Sequence, residues 1–330
     1  MKVLITGVAG LLGSNFSRHL ISKGYEVVGI DDLSGGYKDF IPKGVDFYQG
    51  DLYDSAFVNL VFDNTKPDIV YHFAAYAAEG LSPYIRVYNY KNNVICSANV
   101  INCCINHNVD KIIFTSSMAV YGNQKPPFTE CISPQPIDPY GIAKYAVEMD
   151  LKEAYEKFGL KYTIIRPHNV IGINQNIWDR YRNVIGIWIR KIINSEPISI
   201  FGDGLQTRAF SDIKYYMEPF EKVMHQYEDE IFNIGADQEY TILEVAKLLQ
   251  KISAKHGFQA TIEHYEPRTE AKHAYCNHDK AKSLLDFQDN TVLSEMIEEM
   301  FIWALRQPNR AIKNMNYEVE KNIYSFWKNK

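Results

Sequence analysis

The chain has 330 residues, 46% of them hydrophobic and 13% aromatic, enough for one large or two modest packed domains. Lysine and arginine total 35 against 40 for aspartate and glutamate; the resulting net charge of −5 excludes the basic balance of a nucleic-acid or anionic-membrane binder, so any bound anion must be met by local groups. Cys96, Cys103, Cys104, Cys131 and Cys276 lack CxxC spacing, which points to reduced thiols in the cytoplasm with neither a disulfide framework nor a metal site, and no stretch is long and apolar enough to span a bilayer.

Lys2 to Thr6 (KVLIT) reads as a strand, Gly7 to Gly13 (GVAGLLG) as a glycine loop, and the run through Phe16, Leu20 and Ile21 as a helix, not as a secretion signal. In this setting Gly7 permits the tight turn, Gly10 lets the backbone approach a pyrophosphate, and Gly13 allows close helix packing. The next strand, Tyr25 to Ile30, ends in Asp31-Asp32, where an acid grips ribose hydroxyls and repels a 2′-phosphate; NAD is expected over NADP. A third strand, Val45 to Gln49, leads to Asp51, either a helix cap or a group facing the adenine. Asp68 to Phe73 is a fourth strand running into the small residues Ala74 and Ala75, and His72 reads as a packed strand histidine. The spacing of apolar residues predicts a long helix over Val87 to Asn108.

Lys111 to Thr115 is the fifth strand, which places Ser116 and Ser117 at the ligand edge of an open α/β sheet. Asp138 is suited to cap a helix that begins at Pro139 and runs to about Phe158. On that helix Tyr140 and Lys144 stand four apart and share a face, so the ammonium can favour the ionised phenol, a strong base. A phenol with an ordinary pKa of about 10 needs such positive charge before it works at neutral pH, and an oxidised nicotinamide would add more. This helix and the one before it expose apolar surface suited to a two-fold bundle, hence a homodimer.

After the strand Lys161 to Arg166 the regular alternation ends. Short strands (Ile198 to Phe201, Glu230 to Ile234) mix with helices near Asn183 to Asn194, Ile242 to Lys255 and Leu293 to Leu305, and the polar tail after Pro308 is expected to be partly mobile. The fold class is α/β: a Rossmann-type doubly wound parallel sheet with a smaller mixed α/β substrate-binding domain. Residues 1–166, with a returning segment near 205–235, form the NAD-binding part; 167–204 and 236–330 form the other.

GxxGxxG at Gly7, Asp31, GDL at Gly50, HFAA at His72, SSxxVYG at Ser116, YxxxK at Tyr140 and RPHNVIG at Arg166 occur in one order across nearly the whole chain. In this the sequence resembles the extended short-chain dehydrogenase/reductases, and among them the nucleotide-sugar epimerases and dehydratases. The resemblance implies a tightly held NAD contacted by Gly7, Gly10, Leu11, Leu12, Gly13, Asp31, Asp32, Asp51, Leu52, Phe73, Ala74, Ala75, Ser116, Tyr140, Lys144 and Pro167. It implies that Tyr140 removes the sugar O4 proton while the C4 hydride passes to NAD, that Ser117 hydrogen-bonds the same oxygen, and that Lys144 holds the nicotinamide ribose and lowers the phenol's pKa. The family's dehydratases and decarboxylases carry acids where this chain has Met118-Ala119, which favours C4 epimerisation of a UDP-hexose of the glucose/galactose type.

For a nucleotide-diphosphate sugar, the resemblance implies contacts from Ser117, Asn169, Asn183 and Phe201, a diphosphate clamp of Arg208 and Arg268, and a gate at Tyr275 that leaves little room for a 2-acetamido group. His168 replaces the more usual aromatic beside Asn169. The basic run Asp179-Arg180-Tyr181-Arg182, with Arg86, is able to meet a C6 carboxylate and makes UDP-glucuronate a second candidate. A 4,6-dehydratase or 4-dehydrogenase on another nucleotide sugar, GDP-linked ones included, and a non-catalytic NAD-binding regulator are the further readings.

Overall fold

The computed structural model describes residues 1–268 and 271–328. Strands β1 (Lys2–Thr6), β2 (Glu26–Asp31), β3 (Val45–Gln49), β4 (Ile69–His72), β5 (Lys111–Thr115) and β6 (Lys161–Pro167) come first. The short β7 (Val170–Ile171), β8 (Ile198–Phe201), β9 (Thr207–Ala209) and β10 (Ser211–Asp212) then precede β11 (Glu230–Ile234), β12 (Glu239–Thr241), β13 (Ile262–Tyr265) and β14 (His273–Ala274). The central sheet has seven strands in the order β11-β6-β5-β4-β1-β2-β3, all paired in parallel. Helices cover both of its faces, which is why its inner strands are uniformly apolar rather than alternating.

On one face, α2 (Ser55–Thr65), α4 (Cys96–Asn106) and α5 (Pro139–Phe158) contribute Val58, Phe62, Val100, Ile101, Val147 and Leu151 to a buried layer. On the other, α1 (Leu11–Ser22), α7 (Met217–His225) and α9 (Asp279–Leu285) contribute Phe16, Leu20, Phe220, Val223, Ala281 and Leu285. The segment from Asp279 to Phe287 thus packs on the sheet, although it falls within the stretch expected to form the substrate part. A separate core joins α6 (Val184–Ile193), α8 (Ile242–Lys255) and α10 (Leu293–Leu305) through Trp188, Ile189, Val245, Leu249, Met296 and Ile297.

Two elements differ from expectation. The predicted Val87–Asn108 helix is α3 (Arg86–Tyr90), a π turn over Lys91–Ile95, and α4 in succession. The wide turn accommodates buried asparagines that satisfy backbone groups of neighbouring loops: Asn93 receives the Tyr76 amide at 2.9 Å and donates to its carbonyl at 3.1 Å, and Asn89 donates to the Pro139 carbonyl at 2.8 Å. The tail is packed as well. It ends in α11 (Ser325–Lys328), and Met315, Ile323 and Trp327 are buried against Leu81 and Ile85. Its polar average masks aromatic residues that bury themselves.

Helix α5 begins as its sequence requires. The Asp138 carboxylate accepts the amides of Tyr140 (2.9 Å) and Gly141 (3.0 Å), Pro139 occupies the first turn, and Gly159 closes the helix at φ +74°. Further along, Glu148 is 4% exposed and takes a two-pronged contact from Arg166 on β6, Nε to Oε1 at 2.9 Å and Nη2 to Oε2 at 2.6 Å. Ser116 donates its hydroxyl to the same carboxylate. Arg166 Nη1 donates to the Tyr121 hydroxyl (2.8 Å), which donates to Asn233 on β11 (2.8 Å). One buried network therefore joins α5, β5, β6 and β11. Removing one member of such a pair strands the other's charge out of water, at a cost of about 3–5 kcal/mol. Glu148→Ala should lose about that much stability, read as a lower denaturation midpoint with an unchanged slope; a loss under about 1 kcal/mol would mean the pair does not anchor the helix.

Candidate active site

The carboxyl ends of the central strands open onto a cavity of about 400 Å³, a size typical of small-molecule sites. Gly7, Gly10, Leu11, Leu12 and Gly13 form one wall, with Asp31, Asp32, Asp51 and Leu52 beside them. Phe73, Ala74, Ala75, Ser116, Ser117, Tyr140, Lys144, Pro167, Asn169 and Asn183 complete the lining together with residues of the neighbouring loops. Helix α1 starts at Gly10 with no side-chain cap and no acid in its first turn, leaving its first amides and positive end for an anion. The cradle has no room for larger residues: Gly7 has φ +71° and a Cβ there would lie 2.8 Å from the Ala74 nitrogen, while one on Gly13 would lie 2.2 Å from the Gly7 carbonyl. These features fit a dinucleotide.

Asp31 is held for its task by two backbone donors, Ala9 at 2.9 Å from the glycine loop and Leu33 at 2.8 Å. Burial is the largest influence on its pKa and raises it, and the two amides oppose that. Asp51 caps no helix. The cap of α2 is Asp54, whose carboxylate accepts the Ala56 and Phe57 amides, whereas Asp51 pairs with Lys91 at 3.0 Å. His72 is the packed histidine expected: its nitrogens contact Thr6 Oγ1 (2.7 Å) and Ser97 Oγ (2.8 Å), and burial lowers its pKa to about 3.

Tyr140 and Ser117 both line the cavity wall. Burial drives the Tyr140 phenol well above its ordinary range, and the charges of Glu79 and Asp138 push it the same way; the neighbouring Ser117 hydroxyl and the Arg182 charge oppose them. Lys144 is buried too. Its Nζ donates to the Thr115 carbonyl at 2.7 Å and lies 6.0 Å from the Tyr140 ring centre. Burial lowers its pKa to about 7. Lys144, expected to supply part of the positive charge that favours the phenolate, is not among the leading influences on the phenol. The physical reason is desolvation, which disfavours both charged forms at once.

The residues expected to meet the substrate fall in two groups. Asn169 (φ +42°) and Asn183 (φ +56°) line the cavity, each tied down by a side-chain bond to backbone: to the Ala209 carbonyl at 3.0 Å and the Val170 carbonyl at 3.2 Å. Phe201, Arg208, Arg268 and Tyr275 lie outside its lining. Arg268 stacks on the Phe201 ring at 3.4 Å from its centre, Phe326 of the tail meets the same ring at 5.2 Å, and Trp327 lies 4.7 Å from the Arg268 guanidinium. Arg208 donates to the Thr207 carbonyl at 2.8 Å, and the Tyr275 carbonyl accepts the Phe128 amide at 3.0 Å. The basic run also divides, with Arg180 bonded to Asn314 at 3.1 Å, Arg86 exposed on α3, and Arg182 in the cavity. Sequence reasoning missed Glu148, although it continues the Tyr140, Lys144 spacing by one further step of four on the same helix face.

Comparison with known proteins follows the same lines. Residues 3–235 match the NAD dependent epimerase/dehydratase family. A UDP-glucose 4-epimerase of Halalkalibacterium halodurans is 28% identical over 329 residues, covering 94% of this chain and 97% of that protein. A putative UDP-glucose 4-epimerase of Methanocaldococcus jannaschii is 31% identical over 313 residues, covering 94% and 100%. Among solved structures, a UDP-glucose 4-epimerase of Thermotoga maritima with UDP-glucose matches with a TM-score of 0.87 at 30% identity, covering 92% of this chain and 99% of that one. A Thermus thermophilus UDP-glucose 4-epimerase in complex with NAD matches at 0.86 and 26%, covering 92% and 98%. With the glycine cradle, the Asp31 anchor and the Tyr140–Ser117 pair in one cavity, the chain belongs to the NAD dependent epimerase/dehydratase family.

Proposed function

We propose that the protein interconverts the C4 epimers of a UDP-hexose of the glucose/galactose type through a transient 4-keto sugar. The observation that carries this reading is that Tyr140 and Ser117 both line the glycine-loop cavity, with Ser117 followed by Met118 and Ala119, which offer no carboxylate for eliminating water. The UDP-glucose bound to the Thermotoga maritima relative supports the choice of sugar. So does Glu79, an acid in the cavity lining that opposes a C6 carboxylate; of Arg86, Arg180 and Arg182, only Arg182 shares that lining.

When bound, NAD supplies the hydride acceptor and then the hydride donor. The residues of the chain divide the remaining work. The amides of α1 and the glycine loop would receive the diphosphate, Asp31 the adenosine ribose and Lys144 the nicotinamide ribose. Tyr140 would accept the O4 proton and later return it, and Ser117 would hydrogen-bond O4, so that the cycle would end with no net oxidation. Asn169 and Asn183, which line the cavity, would hold the sugar diphosphate.

Residues 167–204 and 236–330 form the substrate part in this reading, apart from the Asp279–Phe287 segment packed on the sheet. Exposed Val87, Ile95, Ile142, Met149 and Phe158 on the Arg86–Asn106 helical run and α5 support a homodimer, a reading that sedimentation as a monomer would remove. Among the described residues no helix is long and apolar enough to cross a membrane. We place the protein in the cytoplasm.

Purified protein given UDP-glucose, UDP-galactose and UDP-glucuronate should interconvert the first two without added reductant; a 4-keto-6-deoxy product, or turnover of the glucuronate alone, would overturn the assignment. Tyr140→Phe should keep NAD bound and lose turnover by a factor of ~10² or more. A pH signature follows from Lys144, whose folded pKa of about 7 lies below its ordinary 10.5. The cost of burying its charge is present in full below the folded value and is relieved as pH rises toward the unfolded one. In the cofactor-free protein, Lys144→Met should therefore gain stability over the parent most strongly below pH ~7, with the gain shrinking toward pH ~10. A gain independent of pH would show that the ammonium is not desolvated.

A further inference from the structure

The charges lining the cavity are poorly matched to an anionic guest. The lining holds the carboxylates of Asp31, Asp32, Asp51 and Glu79 and two cations, Lys144 and Arg182; of the acids, Asp51 is paired with Lys91. Lys144 is engaged by the Thr115 carbonyl next to Tyr140. That leaves Arg182 as the cation for a diphosphate.

Arg182 lies just before Asn183, the N-cap of α6. Its Nε donates to Asp179 at 3.0 Å, its Nη2 reaches the Gly35 carbonyl at 3.4 Å, and its guanidinium lies 4.8 Å from the Tyr76 ring centre. Asp179 is fully buried, so the arm is fixed in place. These contacts use Nε and Nη2, and the residue lines the cavity.

The loop after β2 shows what the guanidinium faces. A Cβ on Gly36 would lie 2.2 Å from the Ala9 carbonyl, and one on Gly35 would lie 3.1 Å from Arg182 Nη2. The two glycines are thus pressed between the glycine turn and Arg182. One thickness of backbone separates the guanidinium from the turn that leads into the open end of α1, and neither glycine has a side chain with which to bind an anion.

We propose that Arg182 is a cofactor-binding residue, whose guanidinium supplies the counter-charge for the diphosphate of NAD from the substrate side of the cavity. A planar fork suits phosphate oxygens and works best where water is excluded. The α1 amides approach the diphosphate from one side and Arg182 from the other, across the Gly35–Gly36 loop. The proposal departs from the expectation that Arg182 meets a sugar carboxylate.

Binding of NADH, ADP-ribose, adenosine and UDP-glucuronate to the full chain, with the NAD content of the purified protein, tests it. Arg182→Gln should weaken ADP-ribose and NADH by ~10- to 100-fold and lower the bound NAD, while adenosine changes by no more than ~2-fold. Arg182→Lys should fall between. Because Arg182→Gln strands the Asp179 carboxylate, the double variant Asp179→Asn/Arg182→Gln is the control; it should show the same loss for ADP-ribose, and Asp179→Asn alone should keep most of the affinity. Unchanged ADP-ribose affinity in the double variant would overturn the proposal. So would an equal loss for adenosine, which marks a merely structural role, or a loss confined to UDP-glucuronate, which marks a substrate contact.

Discussion

The buried pair of Glu148 and Arg166 is the constraint on which the active site rests. Both side chains are nearly inaccessible to water, and each is tolerated there only because the other, with Ser116 and Tyr121, satisfies it. Such a pair works in one geometry. It fixes the rotation of α5 relative to β5 and β6, and since Tyr140, Lys144 and Glu148 follow one another on a single helix face, it fixes where the phenol points. Asp138 and Pro139 set where that helix starts, and the Asn89 bond to the Pro139 carbonyl ties its first turn to α3. Placement of the base is thus a property of the core rather than of the loop that surrounds it.

The same burial that orients the groups also detunes them. Desolvation raises the Tyr140 phenol and lowers the Lys144 ammonium, so the base is held neutral and the cation weakened. Ser117 and Arg182 oppose the rise of the phenol, and in the proposed mechanism the positive charge of bound oxidised NAD would act with them. Proton removal by Tyr140 would then be coupled to cofactor occupancy, which suits an enzyme that oxidises and then reduces the same carbon.

Much of this was legible in the sequence, and the boundary has a physical cause. The parallel strands, the glycine turn, the Asp31 anchor and the Asp138-Pro139 helix start are set by local chemistry within a few residues, and the chain states them directly. The π turn over Lys91–Ile95 was not legible, because it serves Tyr76, which is distant in sequence. Asp51 and Asp54 are both plausible caps on paper, and only the path of the chain decides between them. The tail misled through its average polarity, since a few aromatic residues suffice to pin it, and its Phe326 and Trp327 pack on Phe201 and Arg268. The arginines of the Asp179–Arg182 run share a composition but not a destination; a loop does not record which of its cations turns inward.

The central claim is that the hydrogen removed from the sugar returns to the carbon it left. Substrate carrying deuterium at C4, turned over in ordinary water with no added cofactor, tests this most directly by mass and position of label in the product. The account predicts inversion at C4 with the deuterium retained there, no exchange with solvent at C5, and no accumulation of NADH. Loss of label to water, solvent hydrogen at C5, or steady release of NADH would contradict it.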